Sequence, residues 1–190
     1  MILLLRHGET HWNVERRIQG RRESALTPRG ERQAAAMGRL VADLIRMEPP
    51  ADWRLAASPL LRAQATAQAV AARAGLRIDT DERLAEICCG DWEGKLRSEV
   101  GAGGPEWFFG APGGETFEEV MARVESFLAD LPPEPRRRMV VVSHGVTGRL
   151  LRGAYAGLPR AETLAQDVPQ DAVYRLAGGQ VDRFDCEPID

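Results

Sequence analysis

Two apolar runs end in the same kind of triplet: residues 1–5 lead into Arg6-His7-Gly8, and residues 139–142 lead into Ser143-His144-Gly145. A fully apolar run of four or five residues bounded by glycine is the pattern of a strand covered on both faces, as in the interior of a parallel sheet. The ligand crevice of an open α/β sheet lies outside the carboxyl ends of its strands, which is where these two histidines stand. Each following glycine lacks a Cβ, and the expectation is that this lets a ligand approach the backbone. Arg62, early in a helix, and Glu86, in Leu84-Ala85-Glu86-Ile87, are expected at the same edge. Two arginines, two histidines and a carboxylate make an anion pocket with an acid beside it. Phosphoryl transfer needs such groups: a nucleophile in line with the leaving oxygen, donors on the equatorial oxygens, and an acid for the leaving group. No aspartate cluster or His/Cys ligand set suggests a metal, so arginine would supply the charge and no cofactor is implied.

The elements that must position these residues can be read from pattern. After the first strand, residues 9–26 form a long polar connection, expected to be a functional loop. Thr27 is placed to cap a helix with Pro28 at its first position, and Ala34, Met37, Val41, Leu44 and Ile45 recur at helical spacing up to Pro49-Pro50. Residues 53–57 read as a short strand ending at Ser58, which is expected to cap a helix begun by Pro59 and stopped by Gly75. Residues 76–78 read as a further short strand, and residues 83–114 as irregular structure rich in Gly and Trp. Thr116 and Glu119 form a capping box ahead of an apolar face at Val120, Val124, Phe127 and Leu131. The second histidine strand follows, then a helix through Leu150, Leu151 and Tyr155, and then a hairpin of residues 172–176 and 180–184 around Gly178-Gly179. Strands alternating with helices predict an α/β fold: a three-layer α/β/α sandwich with a mostly parallel sheet and an antiparallel edge.

With 190 residues, the chain has the length of one domain, spanning 1–190, with a sizeable core. A net charge of -3 gives no basic field for nucleic acid or an anionic membrane. No apolar stretch approaches the ~20 residues of a membrane span, and the N-terminus enters a strand without a leader-like run, so a cytoplasmic protein is expected. Three cysteines, two of them adjacent at 88 and 89, make neither a disulfide framework nor a spaced metal site and read as free thiols. Lys95 is the only lysine; every other basic side chain besides histidine is arginine, whose planar fork suits phosphate and carboxylate.

Arg6-His7-Gly8-Glu9-Thr10, followed by Trp12-Asn13, Gln19-Gly20 and Leu26-Thr27, resembles the signature of the histidine phosphatase superfamily in its phosphoglycerate mutase-like branch. The likeness continues through Ser58-Pro59-Leu60-Leu61-Arg62-Ala63, Glu86 with Gly90-Asp91-Trp92-Glu93-Gly94, Pro112-Gly113-Gly114-Glu115, and Ser143-His144-Gly145. Five ordered blocks over nearly the whole chain are far more specific than one Arg-His-Gly. The resemblance implies ping-pong chemistry through phosphohistidine. His7 would be the nucleophile, one ring nitrogen held by a backbone carbonyl that fixes its tautomer. Arg6, Arg62 and His144 would bind the phosphoryl oxygens, Asn13 and Gln19 would be neutral donors, and Gly20, Gly145 and Val146 would border the substrate. Glu86 would protonate the leaving alkoxide and then activate water, with Glu82, Asp91 and Glu93 near enough to compete for that role.

Departures from the mutase pattern point to a branch. Val146-Thr147 stands where the mutases place Asn-Ser after the second His-Gly, and Ile87-Cys88-Cys89-Gly90 where they carry Arg-His-Tyr-Gly. The chain is also shorter than a typical mutase, and Gln19 falls where mutases tend to have Thr. The broad-specificity or α-ribazole phosphatase type is therefore the expected sub-branch. A phosphoglycerate mutase, a fructose-2,6-bisphosphatase and an inactive phospho-ligand binding module are the alternatives. The expected partner is a small phosphorylated metabolite, and the sequence leaves open whether the chain works as a monomer or a homodimer. His11 reads as peripheral, and Arg21 and Arg22 as loop charges within reach of a second anionic group. Trp107, Phe108 and Phe109 are expected either to wall the pocket or to pack on the domain.

Overall fold

The computed structural model describes residues 1–101 and 103–187; residues 102 and 188–190 of the predicted 1–190 domain lie outside the described residues. Six strands and six helices follow in the order β1 (Ile2–Arg6), α1 (His11–Val14), α2 (Pro28–Arg46), β2 (Arg54–Ala57), α3 (Leu61–Ala74), β3 (Ile78–Thr80), α4 (Phe117–Ala129), β4 (Met139–Ser143), α5 (Gly145–Ala156), α6 (Arg160–Ala165), β5 (Ala172–Ala177) and β6 (Gln180–Asp185). The strands form a single sheet ordered β3-β2-β4-β1-β5-β6. β3, β2, β4 and β1 run parallel, and β5 and β6 complete the edge antiparallel.

Successive side chains of a strand point to opposite faces, and both central strands are apolar on both faces. Leu3, Leu5, Leu55, Val140 and Val142 pack under Met37 and Val41 of α2 and Ala67 and Val70 of α3. Ile2, Leu4, Met139 and Val141 pack under Val120, Val124 and Phe127 of α4 and Leu150 and Leu151 of α5. Two helical layers on one sheet make the predicted three-layer sandwich. Among the described residues no helix is long and apolar enough to cross a membrane.

The expected caps form. The Thr27 hydroxyl accepts from the Gly30 amide at 3.0 Å with Pro28 in the first turn, and Thr116 and Glu119 close the capping box of α4. Other expectations are corrected. Residues 9–26 are not structureless: Thr10 and Asn13 form a capping box on the one-turn helix α1, and bridges Thr10–Leu26 and Arg17–Leu96 tie the segment down. Ser58 does not cap a helix starting at Pro59, because α3 begins at Leu61 without a side-chain cap. β3 starts at Ile78, not Leu76, since the Leu76 amide is consumed by the Ala71 carbonyl in the turn that ends α3 at Gly75. Residues 83–114 contain several 3₁₀ turns, and α6 has no forerunner in the sequence pattern.

Gly8 also has a different reason from the one its position suggested. A Cβ there would meet the Gly30 carbonyl oxygen at 2.3 Å, and one on Gly30 would meet the Glu9 carbonyl oxygen at 2.0 Å. The two glycines let the end of β1 lie against the first turn of α2, backbone on backbone. Gly30→Ala is therefore expected to cost about 2 kcal/mol or more through forced overpacking. Gly148→Ala, inside α5 where an added Cβ meets nothing within 4 Å, is expected to stabilise by about 0.5–1 kcal/mol. Urea unfolding of both variants checks the opposite signs.

Candidate active site

The β1–β4 register pairs Arg6 with Ser143. Just beyond it the His7 amide donates to the Ser143 carbonyl at 3.0 Å, and the Ser58 amide donates to Val142 at 3.0 Å. Three strand ends are thus locked at one level, and His7 and His144 emerge side by side with ring centroids 5.1 Å apart.

His7 Nδ1 lies 2.8 Å from the Gly8 carbonyl oxygen. A carbonyl only accepts, so Nδ1 carries the proton and the Nε2 lone pair is free. His144 is held from the other side, its Nε2 2.7 Å from the Ser58 hydroxyl, which is the use of Ser58 that replaces helix capping. Burial, then the charges of Arg6 and Arg62, push the His7 imidazolium well below its usual range, with the Gly8 carbonyl opposing. Burial and the charge of Arg62 do the same to His144. Both rings are neutral at neutral pH.

Arg62 is buried, donating Nη1 to the Arg22 carbonyl at 2.8 Å and Nη2 to the Gly20 carbonyl at 2.7 Å, with Glu23 at 3.6 Å. It thereby holds the 19–22 segment, where Gly20 takes φ +52° and would drive a Cβ into Glu93. Arg6 donates Nη1 to Val168 at 2.7 Å, and burial pushes it down to about 10, with Glu86 opposing; the guanidinium stays charged at neutral pH. Arg6 Nε, Arg62 Nε and His144 Nδ1 are buried nitrogens without a hydrogen-bond partner, and Gln19 Oε1 is a buried oxygen in the same condition. Unpaired buried nitrogens are costly, and nitrogens grouped on one site fit a ligand rich in acceptor oxygens.

Glu86 lies just beyond the turn at residues 82–84, and its carboxyl group is seated on the first turn of α5. Its carboxyl group accepts from the amides of Ile87 at 3.1 Å, Val146 at 3.2 Å and Thr147 at 3.1 Å, and from the Thr147 hydroxyl at 3.2 Å. Of the competing acids, Glu93 bonds the amides of Arg21 and Cys89, while Glu82 and Asp91 are exposed; Glu86 lines the cavity with Arg6, His7, Arg62 and Gly145. Asn13, Gln19, Gly20 and Val146 border the same cavity, of about 530 Å³. A Cβ on Gly145 would come within 3.7 Å of both Arg6 and Glu86.

His11 is exposed. Arg21 pairs with Glu115 at 3.1 Å, and neither Arg21 nor Arg22 lines the cavity, so both are the loop charges that the sequence suggested. Phe108 packs in the core and also walls the cavity beside Trp107, so both expectations for that segment hold together. Arg160 fastens this wall, donating to Glu106 at 3.0 and 3.1 Å and to Glu118 at 3.0 Å, and lying 4.3 Å from the Phe117 ring centroid. Cys89 is buried, and burial followed by Glu86 and Glu93 raises its thiol far above the usual range. Sequence reasoning missed Gln170, whose Nε2 donates to the His7 carbonyl at 3.2 Å and to Asn13 Oδ1 at 2.9 Å. It also missed Arg97 and Arg149 on the cavity wall. Only chain closure reveals Gln170, whereas Arg149 could have been found from its position one turn after Gly145. Among the described residues no group of three or more His, Cys, Asp or Glu could hold a metal ion.

A parallel α/β sheet with paired histidines and arginines at its carboxyl edge defines a phosphoryl-handling protein of the histidine phosphatase class. The chain belongs to the histidine phosphatase superfamily (branch 1), whose family pattern matches residues 2–182. It is similar to a probable phosphoglycerate mutase GpmB of Salmonella paratyphi C (strain RKS4594), 35% identical over 168 residues and covering 83% of this chain and 75% of that one. Its fold is similar to that of the mycobacterial glucosyl-3-phosphoglycerate phosphatase solved with VO3, with a TM-score of 0.79, 27% identity, and 98% and 99% of the two chains covered. Bacillus stearothermophilus YhfR gives a TM-score of 0.75 at 30% identity over 95% of this chain and 93% of its own.

Neutral buried histidines carry a pH signature. Each folded-state value is depressed, so below the unfolded value of about 6.5 the unfolded chain binds more protons and folding stability falls with pH. Each histidine contributes at most about 1.4 kcal/mol per pH unit. Urea midpoints in phosphate-free buffer are expected to be level above pH 7.5 and to drop by pH 5.5, and His7→Asn is expected to remove about half of that part of the drop.

Proposed function

We propose that this protein is a metal-independent phosphomonoesterase of the cytoplasm that acts on a small phosphorylated metabolite through a phosphohistidine intermediate. The observation carrying this reading is the pinned His7: Nδ1–H is spent on the Gly8 carbonyl, which leaves a neutral Nε2 among buried nitrogens of Arg6, Arg62 and His144 that lack partners. Three free thiols among the described residues suit a reducing compartment.

His7 Nε2 attacks phosphorus, the P–N bond forms, and the P–O bond to the leaving group breaks. Glu86 gives its proton to the departing alkoxide. Arg6, Arg62 and His144 donate to the equatorial oxygens, where charge must be held through the transfer. Water then attacks phosphorus, Glu86 takes its proton, and the P–N bond breaks to release phosphate and neutral His7. The resemblance to proteins named as mutases favours a second reading, in which the phosphohistidine passes its phosphoryl group back to a bound phosphoglycerate. Val146-Thr147 and Ile87-Cys88-Cys89-Gly90, in place of the mutase runs, support hydrolysis.

Phosphate release from p-nitrophenyl phosphate is expected to persist in excess chelator and to fall by several orders of magnitude in His7→Ala. Retention of more than about a tenth of the activity by that variant overturns the mechanism. Label from a ³²P-phosphoester, quenched in alkali, is expected on His7; an acid-stable label on serine or cysteine rejects it. Glu86→Gln is expected to slow alkyl phosphates much more than aryl phosphates, because poor leaving groups need the proton. Interconversion of 3- and 2-phosphoglycerate that outpaces phosphate release, and requires a bisphosphate primer, selects the second reading.

A further inference from the structure

Gln170 is half-buried at the entry to β5, and no step of the phosphoryl transfer uses it. β5 pairs antiparallel with β1 as far as Val173 against Leu5, so the chain entering β5 passes beside the residues that leave β1. Arg6 holds this turn through the Val168 carbonyl. Gln170 in turn holds the residue after Arg6: its Nε2 donates to the His7 carbonyl at 3.2 Å and to Asn13 Oδ1 at 2.9 Å. One nitrogen thus spends both of its hydrogens, one on the backbone of His7 and one on a side chain that lines the cavity.

Backbone groups fix the polarity of this chain of bonds at both ends. The Thr10 amide only donates, and it donates to Asn13 Oδ1 at 3.0 Å; the His7 carbonyl only accepts. Flipping either side-chain amide would set two donors or two acceptors face to face, so the network itself assigns oxygen and nitrogen on both residues. Oδ1 has two lone pairs, and Thr10 and Gln170 fill them. Asn13 is left with Nδ2, which donates to no group among the described residues, and it borders the cavity with Arg6, His7 and Arg62. The Thr10 bond belongs to the one-turn helix α1, whereas the Gln170 bond comes from a distant part of the chain and ties that turn to the sheet. A loosely held asparagine offers a ligand either an oxygen or a nitrogen; only the nitrogen suits a phosphoryl oxygen, and a donor already aimed at developing charge costs no reorganisation. The peptide that follows His7 is clamped by the same device, its carbonyl by Gln170 at 3.2 Å and its Gly8 amide by the Thr66 hydroxyl at 3.1 Å.

We infer that Gln170 is a positioning residue for phosphoryl transfer, holding Asn13 with its amide nitrogen, and not its oxygen, toward the phosphoryl group. This rests on the phosphomonoesterase reading for the identity of the ligand. Inorganic phosphate is the probe, and its affinity is measured by calorimetry on the native chain, on Asn13→Ala, on Gln170→Leu and Gln170→Glu, and on each Gln170 substitution combined with Asn13→Ala. Urea midpoints check that every variant is folded. Asn13→Ala is expected to weaken phosphate binding about tenfold, the loss of one charge-assisted hydrogen bond. Gln170→Leu removes one of the two donors to Oδ1 and is expected to cost about threefold. Gln170→Glu sets an acceptor against Oδ1, turns the asparagine over, and is expected to cost about tenfold or more. With Asn13→Ala in place, both Gln170 substitutions are expected to cost less than about twofold, because no amide remains to be oriented. The side-chain amide signals of Asn13 in ¹⁵N NMR are expected to shift when phosphate is added to the native protein and to stay unmoved in Gln170→Glu. Gln170 costs that are undiminished by Asn13→Ala mean that the substitutions act on the anion or the backbone directly, and they overturn the proposal. Unchanged phosphate affinity in Asn13→Ala also overturns it. Native protein without affinity for phosphate rejects the phosphomonoesterase and the positioning role together. Coupling of Gln170 to Asn13 in phosphate binding, without hydrolysis of any ester, leaves the positioning of Asn13 standing and rejects the phosphomonoesterase alone.

Discussion

Five residues of parallel pairing, from Ile2 against Met139 to Arg6 against Ser143, set the height of everything at the carboxyl edge of the sheet. A slip of one residue would turn every side chain of a strand to the other face, putting Leu3 and Leu5 of β1 under α4 and α5 and separating the two histidines. The apolar content of β1 and β4 on both faces would not by itself prevent that slip. The glycine contact between residues 8 and 30 and the Ser58 and His7 amide bonds to β4 do, because each fits only one height. Register and site geometry are therefore the same constraint.

On that base the protein carries an unusual electrostatic load. His7, Arg62 and His144 are buried and Arg6 is half-buried, and removal from water penalises the charged form of each. The histidines respond by staying neutral; the arginines cannot, and their terminal nitrogens are instead satisfied by the carbonyls of Gly20, Arg22 and Val168. Those bonds use the ends of the guanidinium groups and leave the Nε atoms over. The arrangement makes two arginines part of the scaffold as well as part of the site, so that the 19–22 segment and the turn at Val168 are ordered by the same groups that would meet an anion. Thr66 adds a shorter link, accepting from the Gly8 amide at 3.1 Å while donating to the Arg62 carbonyl at 2.9 Å.

Much of this was legible in the sequence, for physical reasons that differ by element. β1 and β4 announce themselves because strands covered on both faces have no polar alternation, and α2 and α4 because Thr27 and Thr116 satisfy their first amides in a recognisable local pattern. The hairpin reads from Gly178-Gly179. The ordered motif blocks carried Arg6, His7, Arg62, Glu86 and His144 to one edge, and the strand ends explain why they could meet there. What escaped depends on contacts between distant segments. Ser58 looks like a helix cap until β4 brings His144 beside it, and Gly8 looks like a ligand gap until α2 folds over it. Gln170 has no local pattern at all, and α6 is six residues long after Pro159, too short for periodicity to show. Arg97 and Arg149 resemble any other arginine in a chain rich in them until the fold brings both to the cavity wall.

The wall carrying Trp107 and Phe108 is fastened differently from the rest of the site. Arg160 clasps Glu106 and Glu118 where all three side chains are well exposed, at 40%, 48% and 73%. Ion pairs in that setting are screened by dissolved salt, whereas buried ones are screened much less. The two ends of the cavity consequently answer to ionic strength in different ways: the strand-end groups stay fixed, while the clasp on the aromatic wall slackens as salt rises. The shape of the aromatic wall is thereby tied to the ionic composition of the surroundings, and the geometry at the strand ends is insulated from it.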